Sequence, residues 1–355
     1  MVRKSRIIGF DLIRIFSCIC VTIVHFNATV SQYNGTFVYP NSLIPNFYFA
    51  GRIYLGSLGV SLFFMLSGAT LMYTYGSHKS TLEFYKRRFF SIFPAYWIAF
   101  AVATVYDFLY YKGMSNANPW KFLFSVIGMD GYLGNQGIIS LDFYKLGEWF
   151  LGCIILLYFI YPLLHWAVTK RPIISACIIV AAYVLLIRPE FSIGNKFSSL
   201  PNFFVVRIPE LLLGMYFIKY RLHEHPCILS VSGVTSFLIA WLLRDSISSL
   251  TLCTGLAVLI FSFSTLVCKL IHGERIKCIL AKISALTYPI FLVHHWLIDR
   301  IIIGFDCAHM PRRYVYMLFF IYFFLTLVLS MLLRKYASKL AACLQNAFPQ
   351  KVKRS

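Results

Sequence analysis

The sequence predicts an all-α membrane protein, a polytopic bundle of about ten transmembrane helices with both termini in the cytoplasm. Of its 355 residues, 59% are hydrophobic and only 13% are charged, about half the charged fraction of a typical soluble domain. Apolar runs of about 17–25 residues recur, the length that a helix needs to cross a bilayer. The basic residues cluster between these runs, so the net charge of +20 indicates membrane topology and not nucleic-acid binding.

The ten predicted helices follow the apolar runs in chain order. Their predicted boundaries are about 7–29, 51–75, 89–111, 147–168, 172–188, 202–219, 228–243, 247–268, 281–303 and 313–334. The basic segment 1–6 precedes the first run, and no small-residue cleavage site follows it, so we predict an uncleaved first span. Residues 1–340 are predicted to form one membrane-embedded domain, and residues 341–355 a basic cytoplasmic tail.

The loops give the predicted orientation. With a cytoplasmic N-terminus, basic clusters such as those at 86–88 and 170–171 lie on the inner side of the membrane. The two long outer segments, 30–50 and 112–146, are instead rich in Asn, Gly, Tyr and Pro. We expect the aromatic residues of these segments either to stack on sugar rings or to belong to the interfacial aromatic belt. They are Tyr33, Tyr39, Tyr48, Trp120 and Tyr132.

Two ionisable residues lie inside the first apolar run. Arg14 and His25 are eleven positions apart, so at about 100° and 1.5 Å per residue they share one helix face, roughly 16 Å apart along the axis. Burying such groups in hydrocarbon costs several kcal/mol, which indicates a cavity or a functional site. In the structural alternative, Arg14 pairs with Asp11 and reaches the inner interface, while His25 lies at the outer end of the helix.

The ten cysteines lie mostly in or beside apolar runs. They form no CxxC pair and no Cys/His cluster with zinc spacing. We therefore predict packing roles for the cysteines and no metal site.

Five further segments bring polar, basic or proline residues into the predicted helices. They are residues 59–68 (GVSLFFMLSG), 84–97 (FYKRRFFSIFPAYW), 147–151 (GEWFL), 207–214 (RIPELLLG) and 288–295 (YPIFLVHH). Lys86, Arg87 and Arg88 satisfy the positive-inside rule and are equally suited to hold an anionic ligand. Arg207 and Glu210 are placed to form an ion pair within one helix.

In this order and at this spacing, the segments resemble the integral-membrane acyltransferase family 3. The resemblance extends from about Arg6 to Arg334, and its most specific part is the R-x10-H pair on the first helix. By this resemblance, His25 matches the catalytic histidine and Arg14 its partner. The basic block departs from the family pattern R-x-x-R, because Ser91 lies three positions after Arg88.

The resemblance implies transfer of an acyl group, usually acetyl, from cytosolic acyl-CoA to a hydroxyl of a cell-surface or lipid-linked glycan. It is closest to bacterial polysaccharide O-acetyltransferases without an appended hydrolase-like domain. Acetyl-CoA is the expected donor substrate, another acyl-CoA is the alternative, and no metal is expected. The implied location is the cytoplasmic membrane of a bacterium, with membrane lipids and the glycan acceptor as partners and no nucleic acid.

The expected donor site follows the first helix inward from the cytoplasm. Lys86, Arg87 and Arg88 would hold the nucleotide end of acyl-CoA, and Arg14 would lie deeper in the channel. The extended pantetheine arm has about the length of the Arg14–His25 separation, so the thioester is expected near His25.

The expected chemistry centres on His25, which acts as general base on the acceptor hydroxyl, since a neutral imidazole near pH 7 suits that task. Glu148 either orients this imidazole or binds the sugar. His294 either holds the thioester carbonyl or lines the channel. Direct transfer and a transient acyl-histidine both remain open.

A different class of function is a transporter or flippase of a polar lipid-linked saccharide, in which the buried charges line a pathway. The sequence shows no repeat symmetry, and the basic cluster lies at only one mouth of the predicted channel. Both observations favour the acyltransferase. A scaffold without chemistry is disfavoured by the Arg14 and His25 pair.

Overall fold

A computed structural model of the protein describes residues 6–34, 48–49, 53–75, 80–111, 117–140, 143, 146, 148–186, 200–307 and 309–347. In this part of the chain, thirteen α-helices form a bundle. They are α1 (Ile8–Asn34), α2 (Leu55–Tyr75), α3 (Thr81–Tyr111), α4 (Phe122–Val126), α5 (Asp130–Asn135), α6 (Glu148–Lys170), α7 (Pro172–Leu186), α8 (Ile208–Lys219), α9 (Pro226–Leu242), α10 (Ser249–Lys269), α11 (Glu274–Ser284), α12 (Thr287–Ile302) and α13 (Arg312–Ala347). Strands β1 (Tyr48–Phe49) and β2 (Ile53–Tyr54) pair antiparallel beside them.

The predicted all-α membrane bundle is confirmed. Each of the ten predicted runs contains a helix. Six described helices are long and apolar enough to cross a membrane, and the bent pair α11–α12 makes a seventh. Helices α7 and α9 are apolar but shorter, and α8 has only 12 residues because Pro209 starts it after a short 3-10 turn.

Helix α1 runs in the same direction as the bent pair α11–α12. Towards the start of α1, Arg14 Nη1 donates to Ser284 Oγ at 2.8 Å. Eleven residues later, the ring of His25 contacts that of His294, with centroids 5.0 Å apart. Parallel first and ninth helices are what a ten-helix topology requires, because odd-numbered spans cross the membrane in the same direction.

Helices α2 and α8 cross at two glycines. A Cβ atom on Gly68 would lie 1.8 Å from the carbonyl oxygen of Leu211, and one on Gly214 would lie 1.8 Å from that of Met65. No side chain fits at either position. Small residues let helix backbones approach closely in membranes, which gives Gly68, the last residue of the segment 59–68, a packing role.

A buried ion pair joins α8 to its neighbours, as predicted for these two residues. Arg207 Nη1 donates to Glu210 Oε1 at 3.0 Å and to Oε2 at 3.2 Å. The hydroxyls of Ser61 on α2 and Thr254 on α10 donate to the same Oε1 at 2.5 and 2.9 Å. Removing one partner of such a buried pair typically costs about 3–5 kcal/mol. These contacts therefore hold α2, α8 and α10 together.

The predicted start of the third helix at residue 89 is wrong, because α3 begins at Thr81. The amide of Glu83 donates to Ser80 Oγ at 3.1 Å, which is half of a capping box of the form S-x-x-E. Hydropathy marks where the membrane begins, whereas the cap marks where the helix begins. The basic residues 86–88 consequently lie on the helix itself and point in different directions.

The predicted single helix over 281–303 is also wrong, because the structure divides it into α11 and α12 with a bend of 46°. Pro289 has no amide hydrogen, so it cannot donate to the carbonyl of Ala285 one turn earlier. The Thr287 hydroxyl instead donates to the carbonyl of Ser284 at 2.8 Å. The break places the polar side chains of Ser284 and Thr287 in the lining of a cavity, at the level of Arg14.

The last helix is longer than predicted. Helix α13 contains 36 residues and ends at Ala347 instead of 334, because its final segment is rich in Ala, Leu, Lys and Gln, all good helix formers. The predicted boundary between domain and tail at residue 340 therefore falls inside α13, and residues 348–355 lie outside the described part of the chain.

The outer segment around Tyr132 folds back onto the bundle as the short helices α4 and α5. Tyr132 is only 3% exposed and packs against Gly152. Its hydroxyl accepts a hydrogen bond from the amide of Phe204 at 3.3 Å. Both expectations for Tyr132, sugar stacking and the aromatic belt, are therefore wrong, because its ring is buried in the bundle. The sequence pattern did not indicate that this loop packs against the helices.

Candidate active site

Three histidines meet between α1 and α12. The Nδ1 atom of His25 lies 2.8 Å from Nε2 of His294, and the planes of the two rings are nearly parallel, at an angle of 11°. The ring of His295 meets that of His25 edge-on at 5.3 Å. His294 is 1% exposed, whereas His25 is half-buried. The sequence placed these residues on separate helices, and the structure brings them into contact.

The hydrogen bonds of His294 define the proton positions of a neutral pair. Its Nδ1 lies 2.8 Å from the carbonyl oxygen of Phe291 and 3.1 Å from that of Ile290. A carbonyl only accepts, so Nδ1 of His294 carries the hydrogen and Nε2 carries a lone pair. His25 must then donate through Nδ1, which leaves the lone pair of His25 on Nε2. Among neutral tautomers, only this assignment satisfies both short contacts.

Arg14 lies near the N-terminal end of the same helix face. Its Nη1 atom is 3.5 Å from Asp11 Oδ1, as the structural alternative predicts. However, Asp11 is bound more tightly by Arg6, through contacts of 2.6 and 2.7 Å. Arg14 itself donates to Ser284 and lines a cavity. It is therefore oriented towards the protein interior by the break in α11–α12.

The cavity has a volume of about 470 Å³ and lies between α1, α2, α3, α6, the α11–α12 break and α13. Three arginines line it, namely Arg14, Arg88 and Arg334, and no carboxylate among the described residues does so. Its far end is apolar, where Phe150 and Phe291 meet with ring centroids 5.3 Å apart. The Phe291 ring is in turn 6.1 Å from that of His294. The cavity thus extends from a cationic mouth to the ring of Phe291, which separates it from His294.

The three basic residues of α3 have different environments. Arg88 lines the cavity, and its Nη2 donates to the hydroxyl of Tyr75 at 3.1 Å. Its Nε atom is buried without a hydrogen-bond partner among the described residues. Arg87 faces away and pairs with Glu83, one turn earlier on the exposed side. Lys86 lies over the ring of Phe90 and does not line the cavity.

Two further residues singled out by the sequence are Glu148 and Ser91. Glu148 is the first residue of α6, and its side chain lies outside the described part of the structure. Ser91, which replaces the second arginine of the family pattern, lines the cavity beside Arg88.

Sequence reasoning missed two cavity residues. Arg334 gave a signal only as a basic residue at the end of the last predicted helix, 313–334. Ser284 gave no signal, because its contact with Arg14 depends on a break in the predicted ninth helix.

Comparison with known proteins agrees with this arrangement. A family model described as an acyltransferase domain, of the acyltransferase 3 type, matches residues 7–335. Acyltransferase MdmB of Streptomyces mycarofaciens is 31% identical over 121 residues, which are 34% of this chain and 31% of that relative. The chain thus matches less than a third of that relative's length, and no solved structure matches it. Because the family match covers nearly the whole chain, the protein belongs to the acyltransferase 3 family of membrane proteins.

Proposed function

We propose that the protein transfers an acyl group, most often acetyl, from acyl-CoA to a hydroxyl of a cell-surface or lipid-linked glycan. The observation that carries this proposal is the hydrogen-bonded pair His25–His294 next to Phe291, which lines the apolar end of a cationic cavity. Such a pair supplies a general base, and such a cavity suits a long donor with an anionic end. The membrane in question is the cytoplasmic membrane of a bacterium.

The cationic mouth supports acyl-CoA as the donor. The phosphates of this cytosolic compound cannot enter hydrocarbon cheaply, so they need cations at the inner mouth of the cavity. Arg88 and Arg14 line that mouth, and Arg88 has donor capacity left for a ligand. The pantetheine arm then extends towards the rings of Phe150 and Phe291, which places the thioester next to the histidine pair.

The transfer step uses the lone pair on Nε2 of His25. This atom takes the proton of the acceptor hydroxyl while the hydroxyl oxygen attacks the thioester carbonyl carbon. As the tetrahedral intermediate collapses, the C–S bond breaks, and the sulfur leaves with the proton from the imidazolium as the free thiol of CoA. An acyl-histidine route would use the same nitrogen as nucleophile.

His294 acts on the reaction through His25. Its Nε2 atom accepts from Nδ1 of His25 in both the neutral and the protonated state of that ring. The carbonyl of Phe291 keeps the His294 hydrogen on Nδ1. The lone pair on Nε2 of His294 is therefore always available to accept the hydrogen bond from His25. His294 is therefore a positioning residue that fixes the ring and stabilises the imidazolium.

The apolar end of the cavity favours an acyltransferase over a flippase. A transport pathway for a saccharide needs polar groups along both halves of the bundle, whereas this cavity ends against the Phe150 and Phe291 rings.

The proposal is tested by NMR of surface glycans from a strain that lacks the gene and from the complemented strain. We expect an O-acyl signal to disappear with the deletion and to return with the wild-type gene but not with His25→Ala. Identical glycan spectra in all strains would contradict the proposal.

A further inference from the structure

Helix α13 extends well beyond the membrane. Its 36 residues span about 54 Å at about 1.5 Å per residue, compared with a hydrocarbon core of about 30 Å. The apolar part lies between Arg312 and Arg334, so the remaining turns project on the side where α3 begins and α1 carries Arg14. This cytoplasmic extension of α13 comprises residues 334–347.

One face of the extension forms a wall of the cavity. Arg334, Ala337, Ser338 and Ala341 line it, and their spacing of three, four and seven places them on one helix face. The three small residues leave space in front of the helix. The Ser338 hydroxyl donates to the carbonyl of Arg334 at 2.8 Å, so it is engaged within the helix, and Arg334 is the charged group that this wall presents.

Three guanidinium groups therefore converge on the cavity from three helices, Arg14 from α1, Arg88 from α3 and Arg334 from α13. Of the carboxylates near them, Asp11 is bound to Arg6 and Glu83 to Arg87. Guanidinium groups form paired hydrogen bonds with phosphate oxygens and remain charged at every physiological pH. Membrane topology alone requires positive charge near the inner surface, but it does not require this charge to face a common cavity.

We propose that Arg334 binds a phosphate group of the donor nucleotide, so that the cytoplasmic extension of α13 forms part of the donor site. This inference rests on the proposed function, because it takes acyl-CoA as the donor. It replaces the expected cluster on α3 alone with a site built from three helices. In this site Arg87, which faces away and pairs with Glu83, has no direct contact with the donor.

The test measures binding of CoA to the purified full-length protein in phosphatidylcholine nanodiscs, where no anionic lipid competes. The variants are Arg334→Gln and, as matched control, Lys335→Gln, which removes the same charge from the adjacent position. Both side chains are exposed, but only Arg334 lines the cavity. Loss of one charge-assisted phosphate contact weakens binding by roughly tenfold or more. We expect this loss in Arg334→Gln, and less than a twofold change in Lys335→Gln.

The outcomes separate this inference from the proposed function. Unchanged CoA affinity in Arg334→Gln, with binding by the wild type intact, would overturn the role of Arg334 and leave the proposed function standing. Equal weakening of CoA binding in both variants would also overturn it, because the effect would then reflect the loss of positive charge in general and not a contact made by Arg334. Failure of the wild-type protein to bind CoA would overturn both.

A second variant tests the wall independently of charge. Ala341→Trp places a large ring on the cavity face of the extension, and we expect it to weaken CoA binding without lowering the thermal unfolding temperature. Unchanged affinity in this variant would mean that the donor does not contact α13.

Discussion

Replacing His294 separates its hydrogen bond to His25 from its packing role. Glutamine carries its terminal amide at about the reach of the imidazole Nε2, so His294→Gln can still accept from Nδ1 of His25. Asparagine reaches only as far as Nδ1, so His294→Asn can contact the carbonyl of Phe291 but not His25. We expect the glutamine variant to retain much of the activity and the asparagine variant to lose most of it.

The magnitude follows from the 2.8 Å contact between the two rings. Leaving a buried donor without its partner costs about 1–3 kcal/mol, and each 1.4 kcal/mol is about tenfold in rate. The asparagine variant should therefore lower kcat by roughly 5- to 150-fold. The KM for acetyl-CoA should change little, because the proposed site for the donor phosphates is near Arg88, away from the histidines.

The assay follows transfer of radiolabelled acetyl from acetyl-CoA by the purified variants, with membranes of a deletion strain as the source of acceptor. Thermal unfolding checks that all variants are equally folded. Equal activity of the glutamine and asparagine variants would refute the tautomer argument, since only one of them can accept from His25. A parallel rise in KM in both would assign His294 to donor binding instead.

Several other changes give distinct outcomes. One alanine inserted after Cys20 rotates His25 by about 100° relative to the first half of α1, so acyl transfer should be lost while membrane insertion, checked by reporter fusions, is retained. Arg88→Gln should weaken CoA binding in titration calorimetry by about tenfold or more, whereas Arg87→Gln should change it less than twofold. Gly68→Ala should lower the thermal unfolding temperature or the folded yield, because the new Cβ meets the backbone of α8 and overpacking costs about 1–3 kcal/mol or more.

The helical fold was predictable because the hydropathy signal of a membrane helix is the sum over about twenty residues. Each of the ten predicted apolar runs contains a helix, although only six described helices and the bent pair α11–α12 are long and apolar enough to cross a membrane. The direction of the helices relative to the cytoplasm, taken from the loop charges, stays a prediction. Helix ends were less predictable, since local features determine them. The cap at Ser80 extended α3 backwards, Pro289 broke the ninth helix, and helix-forming residues carried α13 past Arg334.

The candidate site was predictable where one helix carried the information. The spacing of Arg14 and His25 depends only on helix geometry, and both residues face the α11–α12 pair. The contact of His25 with His294 joins residues 269 positions apart, and periodicity does not predict such a pairing. The basic cluster on α3 illustrates the same limit, because only the structure distinguishes Arg88 from Arg87.

The central claim is that His25 catalyses acyl transfer from acyl-CoA, and reconstitution tests it most directly. Purified protein in nanodiscs is mixed with radiolabelled acetyl-CoA and lipid-linked glycan from a deletion strain, and label in the glycan is counted. The account predicts label with the wild-type protein and background counts with His25→Ala of equal stability. Equal labelling by both proteins, or none by the wild type with acetyl-CoA or succinyl-CoA, would contradict it.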